Sequence, residues 1–345
     1  MLTEQQAREG AATFQSDFGK LRAEVAKAIV GHNEIVDGIL TCLFCGGHAL
    51  LEGVPGIGKT LLIRTLSQAV QLSFSRIQFT PDLMPADITG TSIVAEKRQT
   101  DGSHAREFVF QRGPVFAQMV LADEINRATP KTQAALLEAM AERSVTVGGT
   151  THPLPLPFFV MATQNPLEQE GTYPLPEAQL DRFFFKLVVG YSNRQELKDI
   201  LDRTTTGKAV QIQPVLDGAQ LLIHQSLVKQ VAMAEHIQDF AVRMVLATQP
   251  AGDIHSSGDA GKFATPLVNR FVRVGASPRA AQAIVLASKC RALIEGRFHV
   301  STQDVRTVAL AALRHRLLLN FEAAAEGVTT DAIVRNLIET TPNEG

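Results

Sequence analysis

The segment that most constrains the fold of this chain matches the pattern G-x-x-x-x-G-K-[ST] at every fixed position, between residues 53 and 60. The largely apolar residues 48–51 before it predict a buried strand, and apolar residues between 62 and 70 recur at helical spacing. A strand, a glycine-rich turn and a helix start form an anion site, because the turn N–H groups and the helix N-terminus both face phosphate oxygens. The segment therefore predicts an α/β domain that binds a nucleoside triphosphate.

We assign roles to the residues of this loop from the chemistry of phosphate binding. Lys59 would reach the β- and γ-phosphates, and the Thr60 hydroxyl would hold Mg²⁺. Asp123, at the end of a later strand, would hold the same ion, so Thr60 and Asp123 are the predicted metal ligands. The predicted nucleotide-binding residues are Gly53, Val54, Pro55, Gly56, Ile57, Gly58, Lys59, Thr60, Leu61 and Asp123. The predicted cofactors are ATP and Mg²⁺.

Two acidic residues follow a second apolar run. Residues 119–122 predict a fully buried central strand, and Asp123 and Glu124 stand at its carboxyl end, where open α/β sheets bind their ligands. Asp123 would hold Mg²⁺ through the coordination shell of the ion, while Glu124 would orient and deprotonate the attacking water. An acidic surface turn is the alternative for this pair alone, but the glycine-rich loop upstream favours the catalytic interpretation.

Three further polar residues are candidates for the reaction. Asn165 follows an apolar strand and could bind the γ-phosphate or the attacking water, although Asn-Pro is also an ordinary turn. Arg182 closes a helical stretch, where the helix dipole favours a cation in any case. Arg279 lies in the first turn of a helix that Ser277 and Pro278 begin, where the dipole opposes a cation. A residue placed against local preference is a candidate for function, so we expect Arg279 to reach a γ-phosphate.

The pattern of apolar segments predicts the architecture of the core. Helical segments, notably 59–70 and 130–141, separate several strand-like segments. This alternation predicts an α/β fold with a parallel sheet covered by helices on both faces. The predicted strands are 48–52, 74–79, 119–122, 158–163 and 184–189.

Two insertions and a change of pattern complete the predicted layout. Residues 91–111 and about 145–155 contain short strand-like runs around polar turns and predict hairpins inserted in the core. After residue 190 we find helical spacing and no strand pattern. We therefore predict two domains, a nucleotide-binding core at 1–190 and an all-helical lid at 191–345.

Composition narrows the classes of function. The chain has 345 residues, a net charge of −2 at pH 7 and 45% hydrophobic residues, which suffices for a globular core. The balanced charge gives no excess of basic residues for a nucleic-acid footprint. Apolar runs do not reach membrane-spanning length, and residues 1–6 lack the pattern of a signal peptide, so we expect a cytoplasmic protein.

The cysteines do not predict a metal site. Cys42 and Cys45 have the spacing of half a zinc site or of a redox pair, but the sequence has no second such pair. They lie in an apolar helical stretch, and the third cysteine, Cys290, is remote in sequence. We therefore favour buried, unreactive thiols.

Taken together, these motifs identify a family that the chain resembles. The chain is similar to the MoxR ATPases, a branch of the AAA+ superfamily, in stretches that stand in the family's order and cover nearly the whole chain past residue 25. The matching stretches are 51–56 (LEGVPG), 87–90 (DITG), 121–127 (LADEINR), 162–166 (ATQNP), 175–183 (LPEAQLDRF) and 275–280 (GASPRA).

The resemblance implies more specific roles than the residues alone. It implies that Asn165 is the first sensor, that Arg182 is an arginine finger supplied by a neighbouring subunit, and that Arg279 is the second sensor. It places the family's helix-2 insert within 91–111. It also implies a ring, commonly a hexamer, with ATP between subunits. The implied role is chaperone-like maturation of client proteins or metal insertion into them, often with a von Willebrand factor A-domain companion.

Two other classes of function stay open from the sequence. A nucleic-acid motor or loader would need a basic stripe, an aromatic platform or a helix-turn-helix module. Here the charges are mixed, Trp is absent and Tyr occurs twice. A nucleotide switch without hydrolysis is the other alternative, and the adjacent Asp123 and Glu124 argue against it.

Overall fold

The computed structural model of the chain describes residues 4–53, 58–98, 104–166, 171–205, 210–251 and 261–342. The strands are β1 (Ala49–Gly53), β2 (Phe74–Gln78), β3 (Gly90–Arg98), β4 (His104–Arg112), β5 (Met119–Asp123), β6 (Ser144–Val147), β7 (Thr150–Pro153), β8 (Phe159–Gln164), β9 (Phe185–Val189), β10 (Val272–Val274) and β11 (Leu318–Leu319). The helices of the first half are α1 (Glu4–Ala28), α2 (Asn33–Cys45), α3 (Lys59–Ala69), α4 (Pro85–Thr89), α5 (Pro130–Glu142) and α6 (Glu177–Leu180). Those of the second half are α7 (Arg194–Thr205), α8 (Gly218–Gln230), α9 (Glu235–Leu246), α10 (Pro266–Phe271), α11 (Pro278–Ile294), α12 (Thr302–Leu313), α13 (Phe321–Glu326) and α14 (Thr330–Thr340).

The five strands predicted for the core form one parallel sheet with the order β2-β5-β8-β1-β9. Strand β5 lies inside this sheet, and its residues 119–122 are all fully buried. A continuous apolar run is typical of a strand that is covered on both faces, which is why the sequence predicted this strand so directly. The parallel α/β fold predicted from the sequence is therefore confirmed.

Alternate residues of β5 face two different apolar layers. Met119 and Leu121 belong to a large cluster that includes helices α1, α2 and α3 and much of the C-terminal half. Val120 and Ala122 belong to a second cluster on the other face, with helix α5. Because side chains alternate across a strand, one apolar run fills both layers and fixes the sheet between the helices.

Two antiparallel hairpins interrupt the core where insertions were predicted. Strands β3 and β4 pair from Gly90–Arg112 to Arg98–His104. Strands β6 and β7 pair over four residues, from Ser144–Pro153 to Val147–Thr150. The connection between β3 and β4, at 99–103, lies outside the described residues.

Within the described residues, the C-terminal half is mainly helical, and a short pair of strands there corrects the sequence prediction. Strands β10 and β11 form a short antiparallel pair, so the region after residue 190 is not all-helical. Segments of three and two residues are too short to show an alternating pattern in sequence. The division into domains at residue 190 stays a prediction, and the large apolar cluster joins helix α11 to α1 and α2 across it.

The three cysteines lie in the apolar interior. Cys42, Cys45 and Cys290 are buried and carry no disulfide, and burial raises the pKa of the Cys42 and Cys45 thiols well above the ordinary range. The expected burial is confirmed, and unreactive thiols stay a prediction that the raised pKa of Cys42 and Cys45 supports, because the thiolate is the reactive form. Among the helices that the structure describes, none has the length and apolar content to cross a membrane.

Candidate nucleotide-binding site

The predicted phosphate-binding residues meet at one edge of the parallel sheet. Strands β5, β8 and β1 are neighbours, and each runs in the same direction. Their carboxyl ends therefore bring Gly53, Asp123 and Asn165 to the same edge, which is where open α/β sheets bind ligands. Asn165 directly follows β8 and is buried.

The glycine-rich loop is described on both sides of its centre. Predicted nucleotide-binding residues Val54, Pro55, Gly56 and Ile57 lie outside the described residues. Gly58 precedes helix α3 with φ of 71°, a left-handed conformation that favours glycine. Lys59 and Thr60 then form the first turn of α3, as anion binding at a helix start requires. Leu61 follows and is about half exposed.

The Lys59 ammonium faces this edge of the sheet. Its Nζ donates to the carbonyl oxygen of Gly53 over 3.0 Å. Burial lowers the pKa of Lys59, and the negative charges of Asp123 and Glu124 oppose that shift. The lysine and the two acids therefore share one electrostatic environment.

Asp123 is held on both of its carboxylate oxygens. The Thr163 hydroxyl donates to Oδ1 over 2.7 Å, and Arg76 Nη2 donates to Oδ2 over 2.7 Å. The carboxylate is 14% exposed, so it is neither sealed in the core nor open to bulk water. Arg76 lies on the neighbouring strand β2, two residues before Gln78. Gln78 is the residue of β2 that pairs with Asp123.

Glu124 is aimed by an uncommon backbone conformation. It has φ of 56° and ψ of 49°, a left-handed conformation that costs a residue with a side chain about 1 kcal/mol. Its N–H donates to Thr163 Oγ1 over 2.8 Å, which fixes that turn. Its Oε2 accepts hydrogen bonds from Gln78 Nε2 at 2.8 Å and Arg127 Nη1 at 3.0 Å. Strain of this kind at a charged residue is common where a side chain must be held for chemistry.

Four residues at this site were missed by the sequence reasoning. Their roles depend on side chains of neighbouring strands meeting at one edge, which one segment of sequence does not show. A partial signal exists for two of them, since a Gln and an Arg at alternate positions near the end of a strand lie on the same face. The four residues are Arg76, Gln78, Arg127 and Thr163.

Arg182 lies at the opposite edge of the same sheet. The N–H of Phe184 donates to the carbonyl of His48, the residue before β1, so the segment 181–184 lies at the amino ends of the strands. Because β1 has five residues, the two edges are about 16 Å apart. The Arg182 guanidinium donates to the carbonyl oxygen of Leu137 in helix α5 over 2.6 Å.

Arg279 lies with Arg182 rather than with the acidic pair. Arg279 Nη1 is 3.6 Å from Oδ2 of Asp181, the residue before Arg182. The Ser277 hydroxyl at the start of helix α11 also hydrogen-bonds the Asp181 carboxylate, at 2.8 and 2.9 Å. Within the described part of the chain, no hydrogen bond or ion pair joins either arginine to Asp123.

The residues at the carboxyl edge fit Mg²⁺ together with a nucleotide. The hydroxyl of Thr60 and the carboxylate of Asp123 are hard oxygen donors, which Mg²⁺ prefers. Among the described residues there is no cluster of three or more His, Cys, Asp or Glu side chains that could hold a metal alone. That sparse set suits Mg²⁺, which commonly takes one or two protein oxygens plus phosphates and waters.

Comparisons with known proteins agree with this layout. The family of ATPases associated with various cellular activities (AAA) matches residues 48–185, and the AAA lid domain family matches residues 265–337. Chaperone MoxR1 of Mycobacterium tuberculosis is 43% identical over 96% of this chain and 84% of its own length. The uncharacterized protein YeaC of Bacillus subtilis is 42% identical over 94% of this chain and 95% of its own.

A solved structure extends the similarity to the whole fold. The crystal structure of a presumed ATPase from Cytophaga hutchinsonii is 37% identical in sequence to this chain and superposes with a TM-score of 0.87. The match covers 99% of this chain and 98% of that one, so the core, both hairpins and the helical C-terminal half fall within it. With the sheet order and the nucleotide loop in place, these similarities show that the chain belongs to the MoxR family of AAA+ ATPases.

Proposed function

We propose that this protein hydrolyses ATP in an oligomeric ring, in which one chain completes the reaction site of the next. One observation carries the proposal: the phosphate-binding and acidic residues lie at one edge of the sheet, while Arg182 and Arg279 lie at the other. A site that needs both sets is best assembled between two copies, with the carboxyl edge of one facing the arginines of another.

Nucleotide binding uses the carboxyl edge. The N–H groups at the start of helix α3 and the Lys59 ammonium bind the phosphates, because both carry positive charge toward the same edge. Thr60 and Asp123 hold Mg²⁺, which neutralises phosphate charge when it is bound. Lys59 exchanges its hydrogen bond to Gly53 for a phosphate oxygen, a charged acceptor that binds an ammonium more strongly than a carbonyl does.

Glu124 activates the water that attacks the γ-phosphate. Its carboxylate is held by Gln78 and Arg127, and its backbone by Thr163, so its position is set before substrate binds. Preorganisation of this kind is the main contribution a protein makes to phosphoryl transfer, where little covalent chemistry is required of it. Asn165, buried at the end of the next strand, orients the same water or the γ-phosphate.

The arginines act on the nucleotide of a neighbouring subunit. Arg182 neutralises the charge that develops on the transferring phosphate, and Arg279 contacts the γ-phosphate and reports its loss to the helical lid. Removal of such an arginine costs on the order of 10³–10⁵ in rate. Both side chains can leave their present contacts, since Arg182 donates to a backbone carbonyl, that of Leu137, and Arg279 is 54% exposed.

The biological role that we propose is chaperone-like. A relative 43% identical to this chain is named a chaperone, which supports remodelling or maturation of client proteins. By the same family resemblance we propose metal insertion as one form of maturation, a von Willebrand factor A-domain companion, a hexameric ring and a cytoplasmic location. The core at 1–190 supplies hydrolysis, and the lid at 191–345 moves with the nucleotide state.

The proposal is tested by phosphate release from ATP and Mg²⁺ with the unsubstituted chain and with Glu124→Gln. We expect steady turnover in the unsubstituted chain, and a loss of about 10²–10⁴-fold in Glu124→Gln with ATP binding kept. Glu142→Gln, an exposed change on helix α5, is the matched control and should leave turnover unchanged. An unsubstituted chain that binds ATP without hydrolysing it would favour a nucleotide switch instead.

A further inference from the structure

Asp181 joins the two arginines of the proposed reaction to each other. It stands directly before Arg182 in the chain, and its carboxylate lies 3.6 Å from the guanidinium of Arg279. The Ser277 hydroxyl, which begins the helix that carries Arg279, donates to both oxygens of the same carboxylate. Asp181 is therefore adjacent to Arg182 in the chain and contacts the start of the helix that carries Arg279.

A third, buried arginine fixes this aspartate. Arg316 follows helix α12, its side chain is 3% exposed, and its Nε donates to Asp181 Oδ1 over 2.8 Å. The rest of the guanidinium donates to backbone carbonyls on both sides of the junction. These carbonyls belong to Asp181, Phe183, Phe184 and Ala312.

The neighbouring histidine strengthens the same junction. His315 Nε2 is 3.0 Å from the carbonyl oxygen of Phe183, and burial lowers the pKa of His315 well below its ordinary value. The neutral ring must donate a hydrogen bond to that carbonyl, since a carbonyl can only accept. Residues 315 and 316 of the helical half are thus bound to residues 181–184 through backbone and side chain together.

We propose that Asp181, held by Arg316, is a positioning residue that presents Arg182 and Arg279 to the neighbouring subunit as one unit. The inference rests on the proposed function, in which both arginines act on the nucleotide of another chain. Its new content is that the arginines do not act separately. Movement of the lid that carries Arg279 and Arg316 displaces the segment that carries Arg182. Movement of that segment likewise displaces the lid.

Asp181 is bound tightly by Arg316 and only weakly by Arg279. Arg316 is buried, charged and hydrogen-bonded at every side of its guanidinium, which makes it an anchor. Arg279 is more than half exposed, and its 3.6 Å approach to Asp181 is an ion pair without hydrogen-bond length. Asp181 can therefore orient Arg279 toward the neighbour without holding it against leaving for a phosphate.

The test is turnover of Asp181→Asn, alone and in mixed rings with Glu124→Gln. Asparagine keeps an oxygen for Arg316 and Ser277 but removes the charge that orients Arg279. We expect a fall in kcat of about tenfold or more with the ATP dissociation constant kept within about twofold. We also expect turnover per Asp181→Asn chain to recover as the share of Glu124→Gln chains rises, because these supply intact arginines.

A matched control separates positioning from general stability. Arg314, which directly follows helix α12, and Asp331 of helix α14 form a comparable bidentate pair, at 3.0 and 2.6 Å, two residues from Arg316. Asp331→Asn should lower thermal stability as much as Asp181→Asn does and leave kcat unchanged. If Asp181→Asn does not fold, Arg316→Lys serves instead, because it keeps the charge and loses the fork that holds residues 181–184.

Mixed rings of Arg182→Ala and Glu124→Gln chains distinguish the positioning role of Asp181 from the completion of the reaction site between chains. Recovery for Arg182→Ala together with recovery for Asp181→Asn supports the positioning role. Recovery for Arg182→Ala alone overturns it, because Asp181 would then act within its own chain. Unchanged kcat in Asp181→Asn also overturns it. If Arg182→Ala does not recover, the proposed completion between chains falls, and the positioning role falls with it.

Discussion

The Thr163 hydroxyl donates to Oδ1 of Asp123 over 2.7 Å. The same hydroxyl accepts the backbone N–H of Glu124 over 2.8 Å. One buried threonine on strand β8 therefore sets the carboxylate proposed to hold Mg²⁺ and the turn that carries the proposed general base. Both acids of the site depend on an oxygen atom that belongs to another strand.

Thr163→Val should reduce turnover more than it reduces ATP binding. Valine has the shape of threonine, but leaves the Glu124 N–H and Asp123 Oδ1 without this partner. We expect kcat to fall about tenfold or more and the free energy of unfolding to fall by about 1–3 kcal/mol. Thr163→Ser keeps the hydroxyl and is the control. Equal kcat in Thr163→Val and in the unsubstituted chain would remove this threonine from the site's organisation.

Arg76→Gln should raise the affinity of the site for Mg²⁺. Arg76 places a cation 2.7 Å from Asp123 Oδ2, and that charge repels a metal ion bound at the same carboxylate. Arg76 is half exposed, so solvent screens the effect, and we expect about a threefold fall in the Mg²⁺ concentration for half-maximal turnover. Arg64→Gln, at an exposed position of helix α3, is the control. An unchanged Mg²⁺ requirement would show that Arg76 does not oppose the metal.

Arg279→Ala should weaken binding of ATP more than binding of ADP. The γ-phosphate is the group that Arg279 is proposed to contact, and ADP lacks it. Calorimetry in the Glu124→Gln background avoids hydrolysis during the measurement. Arg273→Ala, an exposed change in β10, provides the control. Equal losses for the two nucleotides would argue against a γ-phosphate contact.

Acid should destabilise the fold through His48. Its Nδ1 accepts the N–H of Val160 at 3.0 Å, and burial lowers its pKa to about 4, with the Arg143 charge acting in the same direction. The unfolded chain takes up this proton near pH 6.5, so stability falls as pH drops from about 6.5 to about 4. The contribution at stake is on the order of 3 kcal/mol.

Urea unfolding at pH 7.5 and pH 4.5 measures this effect. His48→Gln cannot take up the proton, so acidification should cost it roughly 2 kcal/mol less than it costs the unsubstituted chain. His236→Gln, an exposed change on helix α9, should behave like the unsubstituted chain. The same acid sensitivity in His48→Gln would assign the loss of stability to other groups, of which buried His315 is the next candidate.

The core was predictable because its signals are local. The run at 119–122 could be placed inside a parallel sheet, since a strand covered on both faces is apolar at every position. The loop ending at Lys59 and Thr60 could be placed at a helix start from its motif alone. The pair of strands β10 and β11 could not be predicted, because segments of three and two residues are too short to show a hydrophobic period.

The contacts between distant segments were not predictable from spacing. Asp181 and Arg316 are 135 residues apart, and no local rule pairs them. Arg279 gave a partial signal, since a cation in the first turn of helix α11 opposes the helix dipole. The structure supplies the physical reason, because Asp181 lies beside that turn and offsets the dipole with a negative charge.

The most direct measurement is ATP turnover in rings mixed from Arg182→Ala and Glu124→Gln chains. Each variant alone should be nearly inactive, the first for want of the arginine and the second for want of the base. In the mixture, an Arg182→Ala chain keeps its own Glu124 and borrows Arg182 from its neighbour, so turnover per Arg182→Ala chain should rise with the share of Glu124→Gln. Turnover that stays at the level of the separate variants at every ratio would contradict a reaction site completed between chains.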